Sequence, residues 1–327
     1  MRLDVGGLGY EWDDDWARLP DEASLRDGWA HTSVAVTDDG RIVTGHPGEP
    51  RLLVLDADGR VLPSAPVDAV ELHGITLDGD AFWIADVGRK RRPNDHYANP
   101  AGLVRGGVLH VDLNGRTLGR LDPPTLGVYD NTSYSPTGTA VDVESGDVWV
   151  ADGYGASLVH RYDKRGRWVE SLSGEEGGGR FNCPHAVLVD QRRGGGELYV
   201  ADRGNGRIQV YGLDGRFRRL VGAEFLVSPT NLALDGDRLV VAEHRGARLA
   251  VLGPDDGLLG YLGENAAVAD QPGWPNSLDS GGAPARSRNL EPGRFNSPHG
   301  VGVDASGNIY VAEWLIGGRY VKLARTR

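Results

Sequence analysis

Three histidines recur at equivalent positions of an internal repeat, and their type and spacing suit them to bind a metal ion. Six segments in which a turn leads into alternating apolar residues begin with Thr32, His73, Thr137, His185, Thr230 and His299. Threonine and histidine alternate through the six copies, so histidine occupies every second one. Three neutral imidazoles with an open fourth direction match a catalytic zinc site. The alternative is that polar side chains at these anchor positions only hold water, since a lone histidine in a strand usually satisfies local hydrogen bonds.

Each anchor opens a unit of short apolar runs that predicts a four-stranded antiparallel sheet. The second runs of the six units read RIVTG, FWIAD, VWVAD, LYVAD, LVVAE and IYVAE. Turn pairs such as Asp58-Gly59 and Asp214-Gly215 lead into the fourth strand. Six units without helical periodicity predict an all-β fold, a six-bladed β-propeller. Because the last unit stops after three runs, we expect residues 8–16 to supply its missing strand and close the ring.

The ring geometry brings the histidine anchors together. Alternate blades of a six-bladed ring are related by about 120°, so His73, His185 and His299 should converge at one level of the central channel and bind a metal ion. Zinc is the preferred ion, although iron, cobalt, nickel and copper also accept three imidazoles. Cys183 lies two residues before His185 and could be a thiolate ligand, but we interpret it as a packed loop residue.

The residues after each second strand should flank the anchors, because an antiparallel hairpin returns to the end where it began. They include His46, Tyr154, Arg203, His244, Arg245 and Trp314. Tyr154 could act as a base if a cation lowered its pKa, or could pack on the blade top. Arg203 could bind a carboxylate or a developing oxyanion, or could pair with an aspartate between blades. His46, His244, Arg245 and Trp314 are predicted to bind substrate.

Two intervals between anchors are about twenty residues longer than the others and predict insertions within a single domain, 1–327. The insertions cover about 88–106 and 264–293 and fall on the anchor face of the ring. They could form a lid over the channel mouth or remain surface loops. The first carries the basic run Arg89 to Arg92, and the second carries Arg286 and Arg288.

Composition restricts the partners of this chain. Its 327 residues include 35 basic and 46 acidic ones, and the net charge of -11 disfavours nucleic acid or an anionic membrane as a partner. No apolar run approaches the roughly 20 residues of a spanning helix. We therefore expect a small-molecule substrate, while the oligomeric state stays open. The single cysteine and the acidic N-terminal stretch, which lacks signal-peptide features, predict a cytoplasmic protein.

Several motifs resemble a known family. RFNCPHAVLVD, RFNSPHGVGVD and VADRGNGRIQVYG are similar to NHL repeats, and the likeness extends through nearly all of the chain. HGITLDGDAFWIADV, SPTGTAVDVESGDVWVADGYGAS and LYVADRGNGRIQ resemble the peptidyl-α-hydroxyglycine α-amidating lyases, the propeller half of the peptide-amidating enzymes. The resemblance implies that His73, His185 and His299 bind zinc, that Tyr154 is the catalytic base and that Arg203 lies in the active site.

The resemblance also has departures. The lyases carry a further active-site arginine where this chain has Pro47. They also carry an aspartate that helps to hold calcium where this chain has Gly300, which makes bound calcium doubtful. We expect a zinc-dependent lyase that breaks a C–N or similar bond in a small carbinolamide of the α-hydroxyglycine type, with a substrate other than glycine-extended peptides. A zinc-dependent hydrolase of an ester, lactone or amide and a non-catalytic NHL interaction platform are the alternatives.

Overall fold

Six antiparallel sheets carry most of the regular structure in the computed structural model, which describes residues 1–92, 102–288 and 290–326. Each sheet is one blade, with the anchored run of a repeat unit as its innermost strand. The innermost strands contact one another in chain order, and the last contacts the first. The predicted all-β, six-bladed propeller is confirmed.

The strands follow the repeat units closely. The N-terminal segment contains β1 (Arg2–Val5), β2 (Leu8–Asp13) and the short helix α1 (Ala23–Arg26). Blade 1 contains β3 (Val34–Val36), β4 (Ile42–Gly45), β5 (Leu52–Leu55) and β6 (Val61–Leu62). Blade 2 contains β7 (Leu72–Asp78), β8 (Ala81–Asp86), β9 (Gly107–Asp112) and β10 (Thr117–Leu121). Blade 3 contains β11 (Gly138–Val141), β12 (Val148–Asp152), β13 (Leu158–Tyr162) and β14 (Trp168–Leu172).

The remaining blades complete the ring. Blade 4 contains β15 (Pro184–Asp190), β16 (Glu197–Asp202), β17 (Arg207–Gly212) and β18 (Phe217–Val221). Blade 5 contains β19 (Pro229–Asp235), β20 (Arg238–Glu243), β21 (Arg248–Leu252) and β22 (Leu258–Leu262). A small hairpin of β23 (Ser277–Leu278) and β24 (Pro284–Ala285) precedes β25 (Pro298–Val303), β26 (Ile309–Glu313) and β27 (Arg319–Thr326) of blade 6. Short 3-10 helices cover Gly127–Asp130, Arg203–Asn205 and Ala266–Asp270.

The N-terminus closes the ring, as the sequence predicts. Strand β2 pairs with β27 over five residues, from Gly9 opposite Thr326 to Asp13 opposite Lys322. Strand β1 then pairs with β2, so blade 6 has five strands in the order β25-β26-β27-β2-β1. The fifth strand was not expected from the repeat. The first and last segments of the chain thus share one sheet, and β2 covers the outer edge of β27.

Apolar side chains fill the spaces between neighbouring blades. One cluster joins blades 5 and 6 to the N-terminal strands and contains the buried residues Tyr10, Trp12, Val251 and Val311. Because each blade packs another blade against both of its faces, most residues of the middle strands are apolar. Full burial of one such side chain contributes about 1.5–3 kcal/mol.

The acidic residues that end the second strands hold the chain as it enters the first strand of the same blade. Asp152 accepts a hydrogen bond from the Ser135 N–H at 2.7 Å. Asp202 does the same for Asn182 at 2.8 Å, and Glu313 for Ser297 at 2.8 Å. These carboxylates fix the segments that lead to the anchors, which explains the VAD and VAE endings of the repeat.

The two insertions differ in how much of them is described. The second lies between β22 and β25 and contains the β23–β24 hairpin. Of the first, residues 88–92 and 102–106 belong to the described part, and 93–101 lie outside it. No helix among the described residues is long and apolar enough to cross a membrane.

Candidate metal centre

Each histidine anchor is the extra residue of a β-bulge. In blade 4, Pro184 pairs with Asp202 and Ala186 with Ala201, which leaves His185 without an opposite residue. The registers of blades 2 and 6 shift in the same way around His73 and His299. A bulge bends the strand and redirects one side chain, so the inward position of the anchors is built into the backbone.

The three anchor imidazoles form a nearly equilateral triangle. Their ring centroids are 4.8 Å apart for His73 and His185, 4.9 Å for His73 and His299, and 4.8 Å for His185 and His299. All three side chains are buried, with at most 2% of their surface exposed. The convergence predicted from the blade alternation is therefore present in the structure.

The blades whose anchor is a threonine orient these histidines through the backbone carbonyls of those threonines. His73 Nδ1 lies 2.6 Å from Thr137 O, and His185 Nδ1 lies 2.7 Å from Thr230 O. His299 Nδ1 lies 3.0 Å from Thr32 O. A carbonyl oxygen can only accept, so each Nδ1 carries the proton and each Nε2 keeps its lone pair. A bond of this kind on the far ring nitrogen is the usual support of a metal-binding histidine.

Burial also favours the metal-binding protonation state. It lowers the pKa of His73 and His185 well below the usual value, and nearby positive groups lower both further. Burial likewise lowers the pKa of His299 to about 4. All three imidazoles are therefore neutral at pH 7, which is the form that binds a metal ion.

A fourth histidine, which the sequence did not indicate, joins this group. The nearest donor atoms of His31, His73, His185 and His299 all lie within 4.8 Å of one another; we call these four residues the histidine cluster. The ring of His31 lies 4.4 Å from that of His73 and 4.7 Å from that of His299. His31 directly precedes Thr32, the anchor of blade 1. This adjacency is the one feature of the sequence that could have indicated its place in the cluster.

Tyr154 and Arg203 lie beside the cluster. The Tyr154 hydroxyl is 3.0 Å from His185 Nε2 and 3.0 Å from His31 Nε2, and Arg203 Nη1 donates to it at 3.1 Å. Burial raises the pKa of Tyr154, although the Arg203 charge acts in the opposite direction. Arg203 thus lowers this pKa, but desolvation outweighs its effect and the net pKa of Tyr154 is raised. Cys183 contacts Arg203, and the metal-donor group found among the described residues consists of histidines alone.

An aromatic wall borders one side of the cluster. Trp314 lies 5.6 Å from His31, stacks on Trp29 at 5.5 Å and contacts His244 at 5.1 Å, measured between ring centroids. Trp274 of the second insertion packs on His244 at 4.6 Å. Three of the predicted substrate-binding residues thus lie together, since Arg245 stands over Trp274 at 5.3 Å. Trp29 and Trp274 were not predicted, because neither belongs to the repeat.

The first insertion also reaches the surroundings of the cluster. Arg89 stands over the Tyr154 ring, 5.7 Å from its centroid. Lys90 Nζ donates to Trp29 O at 3.0 Å and lies 3.6 Å from the buried Glu71 carboxylate. This part of the insertion brings positive charge to the channel mouth.

The structure places His46 outside the cluster. Its Nδ1 accepts hydrogen bonds from the N–H groups of Gly48 and Glu49 at 3.1 and 3.0 Å. Its side chain lines a separate cavity with Leu25 and Arg51. Burial lowers its pKa to about 4. His46 therefore organises its own loop and lies apart from the other predicted substrate-binding residues.

The donor set fits a metal ion. Among the described residues, the buried Nε2 atoms of His73 and His299 have no hydrogen-bond partner. A buried acceptor without a partner costs about 1–3 kcal/mol, and a cation between such atoms removes that cost. Neutral imidazoles suit zinc and several other divalent transition metals.

Comparison with known proteins identifies the family. An NHL repeat model matches residues 181–211. The human NHL repeat-containing protein 3 is 30% identical over 289 residues, which cover 82% of this chain and 73% of that protein. The chain belongs to the NHL-repeat family. Its relatives include the peptidyl-α-hydroxyglycine α-amidating lyase 1 of Drosophila melanogaster, 30% identical over 259 residues, which cover 74% of this chain and 42% of that protein. A streptogramin B lyase structure shares the fold, with a TM-score of 0.59, 12% identity, and 99% of this chain and 100% of that chain covered.

Two departures from the lyases have structural counterparts in this NHL-repeat propeller. A Cβ atom at Gly300 would lie 2.6 Å from Thr32 O, so the neighbouring blade leaves no room for a side chain there. Pro47 borders a cavity that Lys90 and Arg91 also line. Positive charge near the position of the absent blade-1 arginine is thus supplied by the first insertion.

Proposed function

We propose that this protein is a metal-dependent lyase, with zinc as the favoured ion, that cleaves the C–N bond of a small carbinolamide of the α-hydroxyglycine type. The observation that carries the proposal is a buried triangle of neutral imidazoles with the Tyr154 hydroxyl 3.0 Å from one of them. The name of the Drosophila relative, an α-amidating lyase, supports the same reaction class.

His73, His185 and His299 would hold the metal. When bound, the ion supplies Lewis acidity that polarises the substrate hydroxyl. Tyr154 accepts the hydroxyl proton and returns it to the amide nitrogen as the C–N bond breaks. The products are a primary amide and an aldehyde such as glyoxylate, and no water or redox partner is consumed. Proton transfer by a placed side chain contributes about 10²–10⁴-fold to such a rate.

The neighbouring side chains prepare this proton transfer and bind the substrate. Arg203 donates to the Tyr154 oxygen at 3.1 Å and so partly offsets the effect of burial, which disfavours the phenolate that acts as the base. Lys90, which is paired with Glu71, and the neighbouring Arg89 bring positive charge to the site that attracts a substrate carboxylate. Trp314, which is partly exposed and stacks on the buried Trp29, offers an apolar surface for the acyl group.

The acyl product distinguishes this reaction from hydrolysis. Metal-loaded protein is incubated with an N-acyl-α-hydroxyglycine in water enriched in oxygen-18, and the rate without protein is subtracted. The proposal expects the unlabelled primary amide. A hydrolase would give a carboxylic acid with one labelled oxygen.

The matched control is the triple alanine variant of His73, His185 and His299. It should lose both the metal and the reaction. If metal-loaded wild-type protein forms neither product, the protein is not an enzyme for this substrate class and the interaction-platform alternative gains.

A further inference from the structure

An oxygen atom faces Nδ1 of His31, as one does for each of the three anchors, although His31 lies outside the repeat pattern. Its Nδ1 is 3.1 Å from Glu71 Oε1. Glu71 is only 3% exposed, lies two residues before His73, and receives the Lys90 ammonium at 3.6 Å. In this geometry a Glu71 carboxylate oxygen is placed to accept the Nδ1–H of His31. Like the anchors, His31 then keeps a lone pair on Nε2.

The four Nε2 lone pairs of the cluster outnumber the protons available to form hydrogen bonds with them. His73 Nε2 and His299 Nε2 have no hydrogen-bond partner among the described residues. His185 Nε2 and His31 Nε2 both face the Tyr154 hydroxyl at 3.0 Å, and a phenol has a single proton. At least three of four converging nitrogen lone pairs therefore lack a proton donor. A cation shared by all four satisfies them together.

We propose that His31 is a fourth nitrogen ligand of the metal centre and that Glu71 is the residue that positions it. The carboxylate–histidine pair is the arrangement commonly found behind metal-binding imidazoles. This inference deepens the proposed function and rests on the same site. Four imidazoles would fill the coordination of a tetrahedral ion. An ion that also binds substrate in this centre is therefore five- or six-coordinate, which restricts the choice among metals that imidazole suits.

X-ray absorption at the metal edge of wild-type protein tests the ligand count directly. We expect multiple-scattering signals of four imidazoles per metal ion, and a count of three would overturn the proposal. This measurement requires no variant and no turnover. It therefore separates the failure of this inference from the failure of the lyase proposal.

Variants then test whether His31 supplies the fourth nitrogen ligand. Affinity is measured by cobalt(II) titration with the d–d absorption spectrum as the readout. Glu71→Gln should weaken binding about 10- to 100-fold, as expected for loss of a group that orients a ligand. His31→Ala should weaken it by more and change the cobalt spectrum, and His31→Gln should do the same if the imidazole itself is required.

His244→Ala is the matched control, because His244 is partly buried beside Trp314 but lies outside the cluster. It should keep both the affinity and the spectrum of the wild type. If His31→Ala matches this control, His31 is not a ligand. If it loses affinity but the spectrum of the remaining bound cobalt is that of the wild type, His31 acts only through the fold, and the proposal is overturned as well.

Discussion

Replacing Tyr154 by phenylalanine separates the proposed base from the metal ligands. The substitution removes one oxygen atom, which contacts His31, His185 and Arg203, and leaves every imidazole in place. Metal content should therefore stay at the wild-type level. The rate of amide formation should fall about 10²–10⁴-fold, because the proton acceptor for the substrate hydroxyl is lost.

The same variant has a calculable effect on stability. The partly buried Arg203 loses an acceptor but keeps its contact with Cys183. Loss of one acceptor for a charged donor costs about 1–3 kcal/mol of unfolding free energy. The assays are kcat for an N-acyl-α-hydroxyglycine, metal per chain and urea unfolding, all on one preparation. A fall in kcat of less than tenfold, with full metal content, would refute the role of Tyr154 as the base.

Three further predictions concern charge, pH and ring closure. Arg203→Gln should move the rising limb of the kcat–pH profile to higher pH, because Arg203 lowers the pKa of Tyr154 and the phenolate is the active form; an unchanged limb would contradict this. Burial lowers the pKa of His160 to about 3. Below about pH 6.5 the unfolded chain therefore binds a proton at this residue and the folded chain does not, so the stability of the fold falls as the pH drops. His160→Gln should therefore lose roughly 2 kcal/mol less than wild type between pH 7 and pH 5 in urea unfolding, and equal losses would count against the burial argument. Deletion of residues 1–13 removes Tyr10 and Trp12 from the core and should lower Tm by roughly 15 °C in calorimetry; a shift of a few degrees would show that the ring does not depend on these strands.

The repeat made the fold and the anchor triangle predictable. A propeller blade is specified by local signals, namely turns, alternating apolar residues and an acidic residue at the end of the second strand. The blade number then fixes the angles between equivalent residues, so the convergence of His73, His185 and His299 follows from counting. Closure by the N-terminus follows from the missing strand of blade 6. None of these inferences requires knowledge of loop paths.

The residues that were missed or misplaced depend on loop paths and burial. His31 enters the cluster through the segment between α1 and β3, which no other unit repeats. His46 follows β4 at the expected end, but its loop turns back and the imidazole accepts its own loop N–H groups. The raised pKa of Tyr154 arises from desolvation, and the sequence does not report how deeply a side chain is buried.

The alternation of threonine and histidine has a structural reason beyond the metal. Each histidine bonds forward to the carbonyl of the next threonine anchor, as His73 does to Thr137. The Thr137 hydroxyl lies 3.1 Å from Pro184 O, directly before His185, and the Thr230 hydroxyl lies 3.3 Å from the carbonyl directly before His299. Blade 1 joins blade 2 through a Ser33 N–H to His73 O bond of 2.7 Å. The three anchor histidines are therefore oriented by the hydrogen bonds that connect neighbouring blades, so a change that loosens two blades at the channel mouth also releases a histidine.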